Sequence, residues 1–395
     1  MNRFFGYIEG YYGRMLSWED RSVVLSHMER LSLNTYLYAP KEDPFHRIDW
    51  RKPYPDSWVR SFQSFIAAAR KKHIAVIPSL APGLSFDYND NGDYALLLKK
   101  FLMLAASGAT AVALLMDDIP MTSARSTGRT SLGEAHGMLL TRLRADLASS
   151  FPDKGLWFCP TVYSDALADT GVKKCRYLVD CSRTMPHDVI TLWTGPAVVS
   201  ERLDGKNVLA ASDLFCGNIV IWDNLYANDY CPHRLFFGPY EKRSRDLDGT
   251  TKGIMLNPTG LVHTDCLLLS RVSGYKKHRP PAGVWKAGLH DFSFEKQILA
   301  VSRFFNSPFT RITAGDMTPD KIKTVRKALR SLLWDWKSPL QREWYPYLYM
   351  LDTDISLLQK TAAGSATEEW IMKKYPPVLS LIVSGKAESR RRCAP

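Results

Sequence analysis

Along residues 1–275, short runs of apolar, β-branched and aromatic residues alternate with longer amphipathic stretches. The short runs fall at 4–9, 35–40, 74–80, 111–118, 156–163, 189–194, 218–224 and 253–257. Their apolar parts are continuous rather than alternating, which is the pattern of parallel strands buried on both faces. The stretches between them have room for helices. Residues 18–31 put Val24, Met28 and Leu31 on one face, and 57–72, 94–106 and 132–149 also have the length and composition of helices. Eight such strands alternating with helices over about 250 residues predict an α/β fold, a (β/α)8 TIM barrel. A doubly wound open sheet would show a Gly-rich phosphate loop after its first strand. Glu9-Gly10-Tyr11-Tyr12-Gly13 is not such a loop, and no phosphate-binding P-loop motif occurs.

Beyond about residue 280 the pattern changes. His278-Arg279-Pro280-Pro281-Ala282-Gly283 reads as a linker. Thr318-Pro319 then reads as an N-cap followed by proline at the first helical position. It opens a predicted helix over 320–336, with Ile322, Val325, Leu329, Leu332, Leu333 and Trp336 on one stripe. Residues 348–359 and 368–374 also read as helical, ahead of a basic tail at 389–392. The expected organisation is a barrel over 1–277 and a smaller all-α domain over 285–395.

Composition narrows the class. The chain has 395 residues, of which 45% are hydrophobic and 12% aromatic, which excludes a disordered or collagen-like chain. No apolar run approaches the roughly 20 residues of a membrane-spanning helix. Residues 1–6 lack the apolar core and cleavage site of a secretion signal. Its 7 cysteines are scattered with no C-x-x-C pair, so neither a disulfide framework nor a zinc ribbon is indicated. The expectation is a reduced, cytoplasmic protein without membrane association. The net charge of +12 is uneven. Residues 276–395 hold 21 Lys and Arg against 11 Asp and Glu, while residues 1–275 hold 31 against 29. A basic region can mark a nucleic-acid partner, but no zinc-finger or RNP signature accompanies it, and nucleic acid is not expected.

In a barrel the chemistry lies at the C-terminal ends of the strands. Those ends read Glu9-Gly10, Lys41, Asp117-Asp118, Tyr163, Trp193-Thr194, Trp222-Asp223-Asn224, Asp229 and Asn257. Asp117-Asp118 says most. Adjacent carboxylates at the end of an apolar strand repel and lose solvation, so one pKa is expected to rise and the other to stay low. Such a pair can supply a proton donor beside a charged partner, as glycosidic cleavage requires. An exposed turn or an N-cap explains the pair as well, and carboxylates also suit Mg²⁺. Trp222 with Asn224 and Asp229 offers an aromatic face and directional hydrogen bonds for a sugar, or a buried core tryptophan followed by an Asx-rich loop. Lys41 could bind a hydroxyl or an anion, or lie on the surface. Gly10 could bring backbone close to a ligand, or form a turn. Tyr163 could donate its hydroxyl or simply pack, and Cys159 reads as a small buried hydrophobe.

Several blocks together resemble a known family. Gly6-Tyr7-Ile8-Glu9-Gly10-Tyr11-Tyr12-Gly13-Arg14, Leu33-Asn34-Thr35-Tyr36-Leu37-Tyr38-Ala39-Pro40-Lys41, Leu114-Leu115-Met116-Asp117-Asp118-Ile119 and Phe158-Cys159-Pro160-Thr161-Val162-Tyr163 carry the resemblance. Leu192-Trp193-Thr194-Gly195-Pro196, residues 221–230 and Leu256-Asn257-Pro258 extend it over about two-thirds of the chain. They resemble glycoside hydrolase family 84, the O-GlcNAcase and hyaluronidase-like β-N-acetylglucosaminidases. The resemblance implies retaining, substrate-assisted hydrolysis of terminal β-linked GlcNAc through an oxazoline, with no cofactor and no metal. It implies that Asp117 orients the acetamido group and that Asp118 is the proton donor. It assigns Gly10, Lys41, Asn224, Asp229 and Asn257 to sugar contacts, and Tyr163 and Trp222 to the pocket walls. Val162 and Pro120 depart from the family pattern beside the pocket, where they bear on aglycone preference. The implied partner is a GlcNAc-bearing glycoprotein or small glycoside, and some relatives use a helical domain after the barrel for a peptide groove or a homodimer interface. The alternative of a different class is a catalytically silent GlcNAc-binding or scaffold protein on the same barrel.

Overall fold

The chain folds, in a computed structural model describing residues 3–121, 130–290, 293–310 and 318–361, around eight parallel strands. These are β1 (Phe4–Glu9), β2 (Thr35–Tyr38), β3 (Ala75–Leu80), β4 (Ala111–Leu115), β5 (Gly155–Cys159), β6 (Ile190–Trp193), β7 (Ile219–Asp223) and β8 (Gly253–Leu256). Each strand pairs with its sequence neighbour, and β1 pairs with β8 to close the barrel. The register sets Ile8 beside Leu37 and Leu37 beside Ile77. Ile8, Leu37, Ile77, Ala113, Leu115, Trp157, Leu192, Val220 and Met255 fill the interior as one buried cluster. The intervening positions face the helix layer. Both faces are therefore dry, which is why the strand sequences are mostly apolar.

The helices of this unit are α1 (Trp18–Arg30), α2 (Asp56–Lys71), α3 (Asn91–Ala106), α4 (Leu132–Ser150), α5 (Arg176–Thr184), α6 (Gly205–Leu214), α7 (Leu247–Thr250) and α8 (Val262–Lys276). Local chemistry fixes their starts. Ser17 and Asp20 form a reciprocal capping box on α1, as do Asp204 and Asn207 on α6, while Ser131 accepts from the Glu134 amide on α4. On the helix-facing side of β1, Glu9 is fully buried and is held by Arg21 of α1 at 2.8 and 2.9 Å and by the Tyr36 hydroxyl at 2.6 Å. Glu9 therefore joins strand to helix and faces away from the barrel interior.

The chain divides into two compact units, Met1–Leu225 with Glu241–His278, and Tyr226–Tyr240 with Arg279–Pro395. The second contains α9 (Pro281–His290), α10 (Glu295–Val301), α11 (Pro319–Trp334) and α12 (Pro339–Thr361). Residues 281–283, expected to be a linker, form the first turn of α9, where proline costs no hydrogen bond. The helix predicted from 348 begins at Pro339, and the one predicted at 368–374 and the basic tail lie outside the described residues. Segment Tyr226–Tyr240 belongs to this unit because Phe237 stacks between Trp344 at 4.3 Å and Phe305 at 5.4 Å. Gly238 lies so close to the Asn306 carbonyl that a Cβ would come within 2.4 Å of it. Among the described residues, no helix is long and apolar enough to cross a membrane.

Candidate active site

The expected residues of the barrel unit lie at the strand ends or just beyond them. Asp117 follows β4 after one residue, and Lys41 lies in the segment after β2. Both side chains are buried, and Lys41 Nζ donates to Asp117 Oδ2 at 2.5 Å. Burial opposes the ammonium charge, but Asp117, Tyr12 and Asp118 outweigh it, so the Lys41 pKa is raised and the side chain stays cationic. Asp117 Oδ1 is buried with no hydrogen-bond partner. A buried, unpaired carboxylate oxygen is costly and marks a place for a donor.

Asp118 adopts a left-handed backbone with φ of 51° and opens to solvent. Asp tolerates this conformation better than most residues. The Tyr12 hydroxyl donates to Oδ2 at 2.7 Å, and the Tyr163 hydroxyl donates to Oδ1 at 2.8 Å. Arg47 donates to the Tyr12 hydroxyl oxygen at 2.5 Å and to the Asp118 carbonyl at 3.3 Å. Partial burial pushes the Asp118 pKa up, but Lys41, the two hydroxyls and Arg47 outweigh it and hold the carboxyl below its ordinary value. Of the vicinal pair, Asp118 is thus the one held low, because Lys41, the two hydroxyls and Arg47 stabilise its charged form. Burial, followed by Lys41 and Asp118 acting in opposite directions, leaves the Tyr12 hydroxyl at about 12. Burial and then Asp118 push Tyr163 higher still, so both phenols remain donors.

The opposite wall is a chain of amides. The Gly10 amide donates to Asn257 Oδ1 at 3.1 Å, Asn257 Nδ2 donates to Asn224 Oδ1 at 2.9 Å, and Trp222 Nε1 donates to the same oxygen at 2.9 Å. Asn224 Nδ2 donates to the Val198 carbonyl at 2.8 Å. Gly10 is required here by close approach, since a Cβ would lie 2.4 Å from the Trp222 ring. Below this wall, Asp223 is held by Arg243 through two bonds of 2.8 Å, both side chains being buried. Trp193 is fully buried, and the Thr194 amide donates to the Tyr163 carbonyl at 2.9 Å, so these strand-end residues support the Tyr163 loop. The buried Cys159 thiol is pushed well up by burial, consistent with an inert apolar side chain. Val162 is buried, whereas Pro120 is exposed.

Asp229 lies in the second compact unit, on Tyr226–Tyr240, where its Oδ1 accepts from the Tyr230 amide at 2.9 Å. Sequence reasoning passed over Tyr12 and Arg47. Tyr12 carried a signal, as the second of two aromatic residues behind the strand-end glycine, but Arg47 carried none. Arg47 and Lys41 share the segment after β2, which is anchored from below. Lys100 of α3 donates to the carbonyls of Phe45, Trp50 and Lys52, each at 2.7 Å. Asp43 accepts from the Tyr38 and Tyr54 hydroxyls at 2.8 and 3.2 Å. Asp117 Oδ2 is taken by the Lys41 ammonium, and among the described residues no group of three or more His, Cys, Asp and Glu side chains could hold a metal ion.

Paired carboxylates at the C-terminal mouth of a (β/α)8 barrel, ringed by hydroxyls and amides, have the groups that glycosidic cleavage uses. The sequence model of the β-N-acetylglucosaminidase family matches residues 5–304. The Protein O-GlcNAcases of Rattus norvegicus and Mus musculus are each 34% identical to this chain over 255 residues, 64% of this chain and 28% of theirs. The chain thus spans under a third of the length of these relatives. An O-GlcNAc hydrolase of Thermobaculum terrenum, solved as an aspartate-to-asparagine mutant, shares the fold with a TM-score of 0.79 at 23% identity, covering 94% of this chain and 87% of that one. The chain belongs to the β-N-acetylglucosaminidase family, glycoside hydrolase family 84.

Proposed function

We propose that this protein hydrolyses terminal β-linked GlcNAc by a retaining, substrate-assisted reaction. The observation that carries this reading is the Asp117 carboxylate, fixed through Oδ2 by Lys41 and presenting a buried, unpartnered Oδ1. An acetamido N–H donating to that oxygen would be polarised. The acetamido oxygen then attacks the anomeric carbon, forming an oxazoline as the glycosidic bond breaks. Asp118 gives its proton to the leaving oxygen and, as a carboxylate, takes one from the water that opens the oxazoline. No enzyme carboxylate bonds to carbon, so vicinal acids suffice. Lys41, Asn224, Asp229, Asn257 and the Gly10 backbone contact the sugar, and Trp222 and Tyr163 wall the acetamido pocket. The barrel over 1–277 does the chemistry, and residues 285–395 form a helical domain that serves substrate contact or homodimer formation. A cytoplasmic location is the reading we adopt, on the scattered spacing of the cysteines in the sequence, with no C-x-x-C pair.

The test compares 4-nitrophenyl β-GlcNAc with 4-nitrophenyl β-glucoside, which has no acetamido group. The GlcNAc glycoside is cleaved and the glucoside is not. Equal rates on the two sugars exclude substrate assistance. GlcNAc binding by calorimetry without turnover of any β-GlcNAc or β-GalNAc glycoside would instead make the barrel a silent sugar-binding module. An O-GlcNAc peptide and hyaluronan oligomers, assayed in parallel, identify the natural substrate class.

A further inference from the structure

Helix α11 is amphipathic in an unusual way. Ile322, Val325, Leu329, Leu332 and Leu333 are buried on one side. The opposite side carries Lys323, Lys327, Arg330 and Trp334, recurring at steps of four and three residues, all exposed. At 100° per residue these four fall within a single narrow arc of the helix. Trp334 is 65% exposed, and its indole meets the Tyr345 ring of α12 edge-on at 5.9 Å. Tyr345 stacks on Tyr349 at 6.1 Å, and Tyr349 is itself 53% exposed. Lys337 and Arg342, both exposed, flank this aromatic row. Among the described residues none of these five cations makes an ion pair, whereas the neighbouring Arg326 reaches Asp352 at 3.5 Å.

Two features therefore meet on one face of the second unit: a row of cations without ion pairs and a row of aromatic rings, Trp334 and Tyr349 exposed and Tyr345 half-buried between them. Either alone is an ordinary surface. Together they have the composition of an interface centre, where Trp, Tyr and Arg are concentrated. We propose that the exposed face of α11 and α12 binds an acidic polypeptide segment in extended conformation. From Lys323 to Trp334 the helix rises about 16 Å, the span of about five extended residues. The cations are spaced by about 4.5 and 6 Å along the axis, close to the about 6.8 Å between alternate side chains of an extended chain. Acidic side chains would pair along α11, and an apolar or aromatic residue would lie against Trp334. Single-stranded nucleic acid fits less well, because base stacking needs open ring faces and Tyr345 and Tyr349 stack on each other. The proposal concerns the helical unit alone and does not depend on the reaction at the barrel.

The test uses the full chain and a fluorescein-labelled peptide of about ten residues alternating Glu and Asp with one central Phe. Fluorescence anisotropy is read at low and at near-physiological salt. The expected result is saturable binding weakened by salt. It falls at least roughly tenfold in the Lys323→Glu/Lys327→Glu/Arg330→Glu variant. The same variant keeps its thermal melting point and its cleavage of 4-nitrophenyl β-GlcNAc. Trp334→Ala weakens binding several-fold without changing the salt dependence. Equal binding of a scrambled-charge neutral peptide, unaltered affinity in the triple variant, or tighter binding of oligo-dT or a heparin oligosaccharide than of the peptide would each overturn the proposal.

Discussion

Lys41 and Asp117 form a buried ion pair that uses only one of the two carboxylate oxygens: Nζ lies 2.5 Å from Oδ2, while Oδ1 has no partner. The cation thus fixes the carboxylate without filling it. Lys41→Met should leave a buried carboxylate without compensation, which destabilises by about 3–5 kcal/mol, and it frees the carboxylate to leave the position in which Oδ1 meets an acetamido group. The expected outcome is a kcat/KM loss of roughly a hundredfold or more on aryl β-GlcNAc, together with a lower thermal melting point. Steady-state kinetics and thermal denaturation check both. An unchanged kcat/KM in a folded Lys41→Met protein would remove Asp117 from the reaction.

The pH profile tests Asp118. Its carboxyl is held low by Lys41, by the Tyr12 and Tyr163 hydroxyls and by Arg47, against the opposing effect of burial. A general acid must be protonated, so kcat/KM should decline as pH rises through its pKa. Tyr12→Phe removes one donor to the carboxylate, and the pKa should therefore rise. The alkaline limb should move upward, by up to about one pH unit, since a hydrogen bond to a charged group is worth about 1.5 kcal/mol or less at an exposed site. A limb that moves downward contradicts the assignment. The linkage to stability has the opposite sense. Ionised Asp118 stabilises the fold above its unfolded pKa, and that contribution disappears as pH falls through its depressed folded value.

How much of this was visible in the chain depended on whether a residue's role was local. All eight strands were legible because apolar runs buried on both faces have no other common explanation. The C-terminal limits of six were overshot, those of β1 and β3 being met. The run at 111–118 yields a strand only to Leu115, and that at 35–40 only to Tyr38. The reason is functional: the residues that would meet a sugar sit just past the last ladder bond, where the backbone is free to turn, as at Asp118. Arg47 and Lys100 were not legible, since a basic residue in a loop or on a helix looks the same whether it is solvated or bound to carbonyls. The grouping of Tyr226–Tyr240 with the C-terminal helices was hidden too, because it rests on Phe237 stacking with residues far away in sequence.

Loss of the anchor at Lys100 should affect the site without touching it. Burial lowers the Lys100 pKa to about 8, yet its ammonium satisfies three carbonyls of the segment that carries Lys41 and Arg47. Lys100→Met leaves those carbonyls unpaired. The expected result is faster amide exchange confined to residues 42–54 and a kcat/KM reduced about tenfold or more, as small displacements of positioning groups are costly. Global unfolding, or exchange that speeds up everywhere, would instead mark Lys100 as a core stabiliser.

Gly10 and Trp222 make the final case, because here a single methyl group separates two explanations. An added Cβ at residue 10 would lie 2.4 Å from Cζ2 and 2.7 Å from Cη2 of Trp222, so the indole must move. Moving it breaks the Trp222 bond to Asn224, and Asn224 in turn holds Asn257, which accepts from the residue 10 amide. Gly10→Ala should therefore cost about 1–3 kcal/mol of stability by overpacking and a larger share of activity, with KM raised as the pocket wall shifts. Trp222→Phe in the Gly10→Ala background removes the clashing atoms of the indole. If the wall's shape is what matters, the double variant should regain stability relative to Gly10→Ala while activity stays low, because the Nε1 donor is gone. Recovery of full activity in the double variant would show that the indole hydrogen bond is dispensable and that Gly10 serves only to make room.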